Sequence, residues 1–537
     1  MTQHKLTWEC YELLGDAPQS DWRRSVEAAL DRLRLSYGYD IRGHELRVWR
    51  KDQAAISVSR SKLRYQDAIR IRRMPPMRTA VGVRVGFSAA RLYFEEGGVS
   101  PLPYSAAELL APGAYPSALK HQNIVPLIDR LVKALAETLT LSRVENFSVD
   151  QVSDQLMFRS ANGSVHLNEL LVGNGLSKNL LEFIRKSRAL RPIKASIGVA
   201  LGFSRDNDAA LEIARHTCNV LADWGCDVAL DVLGATDCLE RFVASRPDGL
   251  ILVPIEGKRG TRPEKVVLDW LRYMNEEKRP FQLSSISSNP LYSRHGLAMA
   301  TLQKLGGSLY EVQSGPTEIP PSWYVGIDVG YGGGRTGRIA AITLCDEQGR
   351  LHGFWRCIKS KTEALSGQVL QNGIHWVLEL ASKLDASKEL IFIRDGICPA
   401  SEREDLYRRA LGDQKCLLVE YVKHGNPLIH REGAQAPAGS VILPEGDEFA
   451  HLSPCQAPQK GVFANATKFR LRINDHRITN TDMAHRLVLL CHVPTLSYQP
   501  SAIPAPVQWA NGICKLSNTD LQFSGWGSLP SHTQNLV

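Results

Sequence analysis

At 537 residues the chain is too long for one ordinary hydrophobic core, and it implies roughly three or four domains. Its 43% hydrophobic and 22% charged residues are those of a globular protein, and no apolar run reaches the roughly eighteen residues a membrane span needs. A net charge of +8 permits nucleic-acid binding without requiring it. The eleven cysteines are scattered singly with no CxxC pair, which excludes zinc ribbons and disulfide frameworks and predicts reduced, cytoplasmic thiols.

The start, MTQHKLTWECYELLGD, has no basic stretch leading into an apolar one, so no signal peptide is expected. In residues 1–185, DWRRSVEAALDRLRLSYG predicts an amphipathic helix through Val26, Ala29, Leu30 and Leu33. Alternating residues then predict strands from Glu45 to Arg78. That segment is locally basic (Arg47, Arg50, Lys51, Arg60, Lys62, Arg64, Arg70, Arg72, Arg73, Arg78) and only Glu45, Asp52 and Asp67 oppose it. A solvated sheet face and a nucleic-acid contact are both open readings. A second helix, QNIVPLIDRLVKALAETL, follows a proline-rich loop.

Residues 186–317 alternate short apolar strands (KASIGVALGF, CDVALDVLG, DGLILVPI, FQLSSIS) with helices. This predicts a parallel, doubly wound sheet, whose ligands bind beyond the strands' C-terminal ends. From 318 to 537 the pattern changes. SWYVGIDVGYGGGRTGRIAAITLCDEQGRLHGFWRCI reads as three antiparallel strands, and alternating helices and strands follow. The cluster GYGGGRTG lacks the GK[ST] ending of a phosphate loop and is expected to be a hairpin turn.

Asp328 ends the strand WYVGID and Asp395 ends ELIFIRD. In an RNase H topology both strand ends lie on one side of the sheet, where two carboxylates can hold a hard divalent cation. Each aspartate alone would read as a turn or cap residue.

GIDVG, IRDG and the closing SAIPAPVQWANGICKL resemble the acidic motifs and C-terminal motif of Argonaute PIWI domains. The resemblance implies a catalytic set of Asp328, Glu363, Asp395 and Asn511, with Asp328, Asp395 and Asn511 holding Mg²⁺ or Mn²⁺. Asn511 stands where the family usually has Asp or His, which leaves open whether the centre cuts. An acid such as Glu363 at a helix start also has a purely electrostatic reason to be there. His485 and His492, on an apolar helix, are expected to be packing or surface histidines.

KLGG, ending at Gly307, is similar to the close of the family's MID helix. That similarity implies Lys304, Lys265 and Gln282 as ligands of a guide's 5′ phosphate, although Thr261 and Arg262 depart from the family's pattern. The implied fold is α/β: a Rossmann-like MID domain (186–317) and an RNase H-like PIWI domain (318–537), preceded by an α+β N-terminal region (1–185) that resembles nothing nameable. The chain is similar to a short, PAZ-less prokaryotic Argonaute. The implied partners are a guide oligonucleotide, RNA or DNA, its complementary target, and an associated effector protein, with no membrane. Three functions follow: guide-directed cleavage in defence against foreign DNA, guided binding that activates an effector, or RNase H-like cleavage without a guide.

Overall fold

The computed structural model describes residues 4–516 with interruptions, the longer being 15–21, 58–62, 74–82, 96–101, 103–120, 202–206, 256–279, 315–319, 332–337, 361–364, 424–428, 456–465 and 494–499. The chain divides into two compact units, 1–151 with 424–468, and 152–423 with 469–537. Among the described residues no helix is long and apolar enough to cross a membrane.

The first unit is built on an antiparallel sheet in the order Tyr37–Arg42, Glu45–Arg50, Leu63–Arg73, Val83–Glu95, Glu9–Leu14, Thr140–Arg143. Alternation puts Leu46, Val48, Ile69 and Ile71 on one face, where helices Trp22–Arg32 and His121–Ala136 add Val26, Leu30, Ile128 and Leu131. The arginines between them take the other face, and register sets Arg47 opposite Arg70. Strand Ser440–Pro444 pairs antiparallel with Phe147–Gln151, so a segment late in the sequence completes this unit. Strand pairing across nearly three hundred residues leaves no local signature.

The second unit contains two principal sheets. In the first, β1 (Lys194–Ala200), β2 (Asp227–Leu233), β3 (Leu250–Ile255) and β4 (Phe281–Ser285) are parallel in the order β2-β1-β3-β4. The connections include helices α1 (Asn207–Asp223) and α2 (Thr236–Ser245), and α3 (Pro290–Lys304) follows β4. Leu250, Ile251, Leu252 and Val253 are all buried, which is why β3 is apolar without alternation. The two glycines of KLGG end α3. Gly306 takes φ +80° and donates to Gln303, while Gly307 donates to the carbonyl of Leu302, so the pair forms a Schellman cap.

The second sheet runs β7-β6-β5-β8-β9-β10, from β5 (Ser322–Tyr331), β6 (Arg338–Cys345), β7 (Leu351–Ser360), β8 (Glu389–Asp395), β9 (Cys416–Val422) and β10 (Thr467–Asn474). The first three form the expected antiparallel meander, and β5, β8 and β9 run parallel. Tyr331 pairs with Arg338; residues 332–337 between them, which hold most of the GYGGGRTG cluster expected to be a hairpin turn, lie outside the described residues. Helices α4 (Gly367–Asp385) and α5 (Glu404–Leu411) cover one face over Val325, Ile327, Ile342, Phe392 and Leu418. Helix α6 (Asn480–His492) starts on a Thr479–Asp482 capping box and is buried from Met483 to its end. Helix α7 (Ala505–Leu516) lies against β5 on the sheet's other face.

Candidate active site

Parallel pairing sets Gly326 against Ile393 and Ile327 against Arg394. One further step brings Asp328 level with Asp395: Asp395 ends β8 as expected, whereas β5 continues three paired residues beyond Asp328, to Tyr331. Odd-numbered residues of β5, Trp323 to Ile327, point into the core under α4, so Gly326, Asp328 and Gly330 face α7. The two carboxyls touch through a hydrogen bond. Asp328 is 7% exposed. Burial first, and the neighbouring Asp395 charge second, push its pKa up to about 6, against the pull of Lys423 and Arg394. Gly396 follows Asp395 at φ +83°, a left-handed turn that glycine permits, and its N–H donates to the Tyr421 carbonyl at 2.8 Å.

The glycines of GIDVG have a packing reason. A β-carbon on Gly326 would collide with the Pro506 carbonyl, and one on Gly330 would come to 2.7 Å from Cys514. Helix α7 therefore advances alongside β5 in the same direction, Pro506 over Gly326 and Cys514 over Gly330. Asn511 lies between these contacts, one turn before Cys514 on the same helix face, which brings it to the level of Asp328. The Cys514 thiol sits 3.8 Å from the Asp328 carbonyl and 3.4 Å from that of Ile339. Burial, then the Asp328 charge, pushes it up to about 12, so it stays neutral.

Three charged groups complete the centre, and none was among the expected site residues. Lys423, just past the end of β9, donates to the Asp395 carboxylate and is 18% exposed. Register would have found it: Asp395 pairs with Tyr421, and Lys423 is two residues on, hence on the same face. Arg394 is paired with the fully buried Glu402 at 3.2 Å and donates to the Asp395 carbonyl at 2.5 Å. Glu402 also accepts the Leu365 N–H at 2.6 Å. It therefore tethers the chain two residues after Glu363, which itself lies outside the described residues.

Two neighbouring carboxyls, one of them raised by burial and then by the other's charge, suit a hard divalent cation that would relieve their repulsion. Asp328 and Asp395 fit Mg²⁺ or Mn²⁺ in this respect. Among the described residues no group of three or more His, Cys, Asp or Glu gathers. Remaining positions would thus fall to water, phosphate and the Asn511 amide oxygen.

In the parallel sheet, Lys304 is buried and donates to the Phe281 carbonyl at 2.8 Å, with its ammonium 5.7 Å from that ring's centre. Burial lowers its pKa to about 7. Phe281 opens β4 and pairs with Ile251, level with Gly198 of β1, and Gln282 is the next residue along the strand. Lys265, Thr261 and Arg262 lie outside the described residues. His485 and His492 are buried, and the latter, at about 4, is held neutral by burial with its Nδ1 2.8 Å from the Val488 carbonyl. In the first unit, Glu45 pairs with Arg47 at 2.8 Å and Arg70 at 3.1 Å, and Asp52 pairs with Arg50. Asp67 turns instead to Arg91 at 3.2 Å. Arg60, Lys62 and Arg78 lie outside the described residues.

No protein-family model and no curated protein matches the chain. Solved structures do match. Drosophila Piwi shares 14% identity over 97% of this chain and 86% of its own, with a TM-score of 0.62. Kluyveromyces polysporus Argonaute, solved with a guide RNA, shares 11% over 89% and 76%, at 0.60. Marinitoga piezophila Argonaute, solved with a 5′-OH guide RNA and target DNA, shares 10% over 94% and 85%, at 0.62. The chain has the fold these proteins share, N-terminal unit included. It is an Argonaute-like protein in architecture.

Proposed function

We propose that the chain binds a guide oligonucleotide, finds a complementary strand by pairing, and hydrolyses that strand at Asp328 and Asp395 with Mg²⁺ or Mn²⁺. The observation that carries this reading is the in-register meeting of two carboxyls on neighbouring parallel strands beneath the helix bearing Asn511, in a chain of Argonaute–Piwi architecture. The mixed sheet is read as an RNase H-like PIWI domain. The parallel sheet is read as a Rossmann-like MID domain that takes the guide's 5′ phosphate with Lys304, Gln282 and Lys265. Neighbours solved with guide RNA and target DNA support an oligonucleotide pair, RNA or DNA, as the partner.

A bound divalent ion supplies Lewis-acid stabilisation of the leaving oxygen and a more acidic water. The chain's own part is to hold charge in place. Asp328 must give up its proton to ligate, Asp395 must exchange Lys423 for the ion, Asn511 offers an amide oxygen without charge, and Glu363 would add a further carboxylate. Such an activity would serve defence against foreign DNA in the cytoplasm.

A second reading is a guided binding module that activates an effector protein. It is favoured by Lys423, which already neutralises Asp395, and by the uncharged Asn511. Cleavage without a guide is disfavoured by likeness in fold to the two Argonautes solved with guides, along 89% and 94% of the chain. The test is to purify the protein from its host, sequence the nucleic acid that accompanies it and end-label it. Short strands of uniform length carrying a 5′ phosphate are expected; absence of any accompanying oligonucleotide would sink the guided readings.

A further inference from the structure

Lys423 donates to the Asp395 carboxylate from the same sheet face, two residues past the Tyr421 that pairs with Asp395. Arg394 is bonded differently: its guanidinium donates to the buried Glu402 and to the Asp395 main-chain carbonyl. The ammonium is 18% exposed and the Asp395 carboxylate 11%, so the contact is only weakly screened by solvent. Two carboxylates and one ammonium leave at most a single net negative charge at the centre, and Asn511 adds none. One divalent ion already reverses that sign, and a second would be repelled by both the first ion and the lysine.

We propose that Lys423 is the resident counter-cation of the Asp328–Asp395 pair, competing with divalent ions for Asp395 and restricting the centre to a single, weakly held ion. The inference rests on the metal-dependent reading above. In the metal-free protein Lys423 holds the two strand ends together. On metal binding the ammonium must leave the Asp395 carboxylate, so affinity is set by exchange of one cation for another.

The test is a Mn²⁺ titration of full-length, chelator-treated, nucleic-acid-free protein, reading free Mn²⁺ by electron paramagnetic resonance. Wild type is expected to hold one ion weakly. Lys423→Met should bind at least about ten-fold more tightly, since a unit positive charge a few ångströms away has been removed. Lys423→Arg should stay within about three-fold of wild type, because its charge is retained. Asp395→Asn should abolish binding. In EDTA Lys423→Met should melt below wild type, and Mn²⁺ should close the gap. Should the Met variant fail to fold, Lys423→Gln keeps a donor for Asp395 and is expected to tighten binding in the same direction. Unchanged or weaker Mn²⁺ binding in the neutral variants, with Asp395→Asn still abolishing it, would overturn the role given to Lys423 while leaving the metal site standing. No bound Mn²⁺ at millimolar concentration in any variant would remove the metal reading, and this inference with it.

Discussion

Gly326 and Pro506 are in backbone contact: the Pro506 carbonyl occupies the space where a β-carbon on Gly326 would go. This contact seats α7, and with it Asn511, over Asp328. Gly326→Ala must push the helix from the sheet, because the colliding atoms are main chain and cannot rotate away. Overpacking of this kind costs about 1–3 kcal/mol. The thermal midpoint in EDTA should fall, and Mn²⁺ binding should weaken although no ligand has been changed. Unaltered binding would mean that α7 does not set the geometry of the centre.

Asp328 ties stability to pH with a definite sign. Its folded pKa of about 6 stands above the ordinary 3.8, so folding favours the protonated form. That advantage is full below 3.8, is lost as pH rises towards about 6, and above that ionisation weighs against the fold. Asp328→Asn should therefore raise the melting temperature at pH 7.5, where about 1 kcal/mol corresponds to roughly 2–4 °C in a domain of this size. The gain should disappear near pH 4. Metal binding needs the ionised carboxyl, so wild-type Mn²⁺ affinity should drop about ten-fold per unit below the folded pKa. Melting curves and Mn²⁺ titrations at pH 4, 5, 6 and 7.5 check both slopes, and a pH-independent difference would contradict this account.

Periodicity and turn chemistry carry the two principal sheets of the second unit. The β3 run LILVPI, the meander from Ser322 to Ser360 and the strand end at Asp395 follow from local pattern, while β5 runs three residues past the expected end at Asp328. What stays hidden in the sequence is relational. The pairing of Ser440–Pro444 with Phe147–Gln151 depends on chain closure over a long loop, and no local residue announces it. Lys423 looks like an ordinary strand-end lysine until register sets it beside Asp395. The KLGG motif illustrates the converse. Gly306 and Gly307 are explained by the helix cap, and Lys304 by its bond to the Phe281 carbonyl, so the motif has a packing reason throughout.

Lys304 makes the second site testable by proton counting. Its folded pKa of about 7 lies below the ordinary 10.5, so burial of the charged form weighs against folding below pH 7, and that cost fades as pH rises towards 10.5. Lys304→Met should accordingly stabilise the protein most at pH 6. If a 5′ phosphate engages Lys304, the ammonium form is favoured, and binding at pH 7.5 should take up roughly 0.7 of a proton. Calorimetry in two buffers of different ionisation enthalpy, with 5′-phosphorylated and 5′-hydroxyl guides, reads this directly. Equal proton uptake by the two guides would exclude contact between Lys304 and the phosphate.

Whether the centre cuts depends on how much negative charge it can gather. On the proposed reading Asp328 and Asp395 recruit the cation, but Lys423 offsets one of them and Asn511 contributes a neutral amide. Cleavage is therefore expected to be slow and to favour Mn²⁺, which tolerates imperfect geometry and gives up water more readily than Mg²⁺. Asn511→Asp restores a charge at the level of Asp328 and should raise the rate, by about ten-fold for each 1.4 kcal/mol of added transition-state stabilisation. The same change should raise the Asp328 pKa further, so the gain should be larger at pH 8 than at pH 6. Asp395→Ala should abolish cleavage in either background. A guide-loaded sample incubated with a labelled complementary strand and Mn²⁺ measures all three. Absence of product from both wild type and Asn511→Asp would favour the binding-module reading, because a charge deficit would then not be what keeps the centre silent. Product that survives Asp395→Ala would mean that hydrolysis occurs elsewhere in the chain.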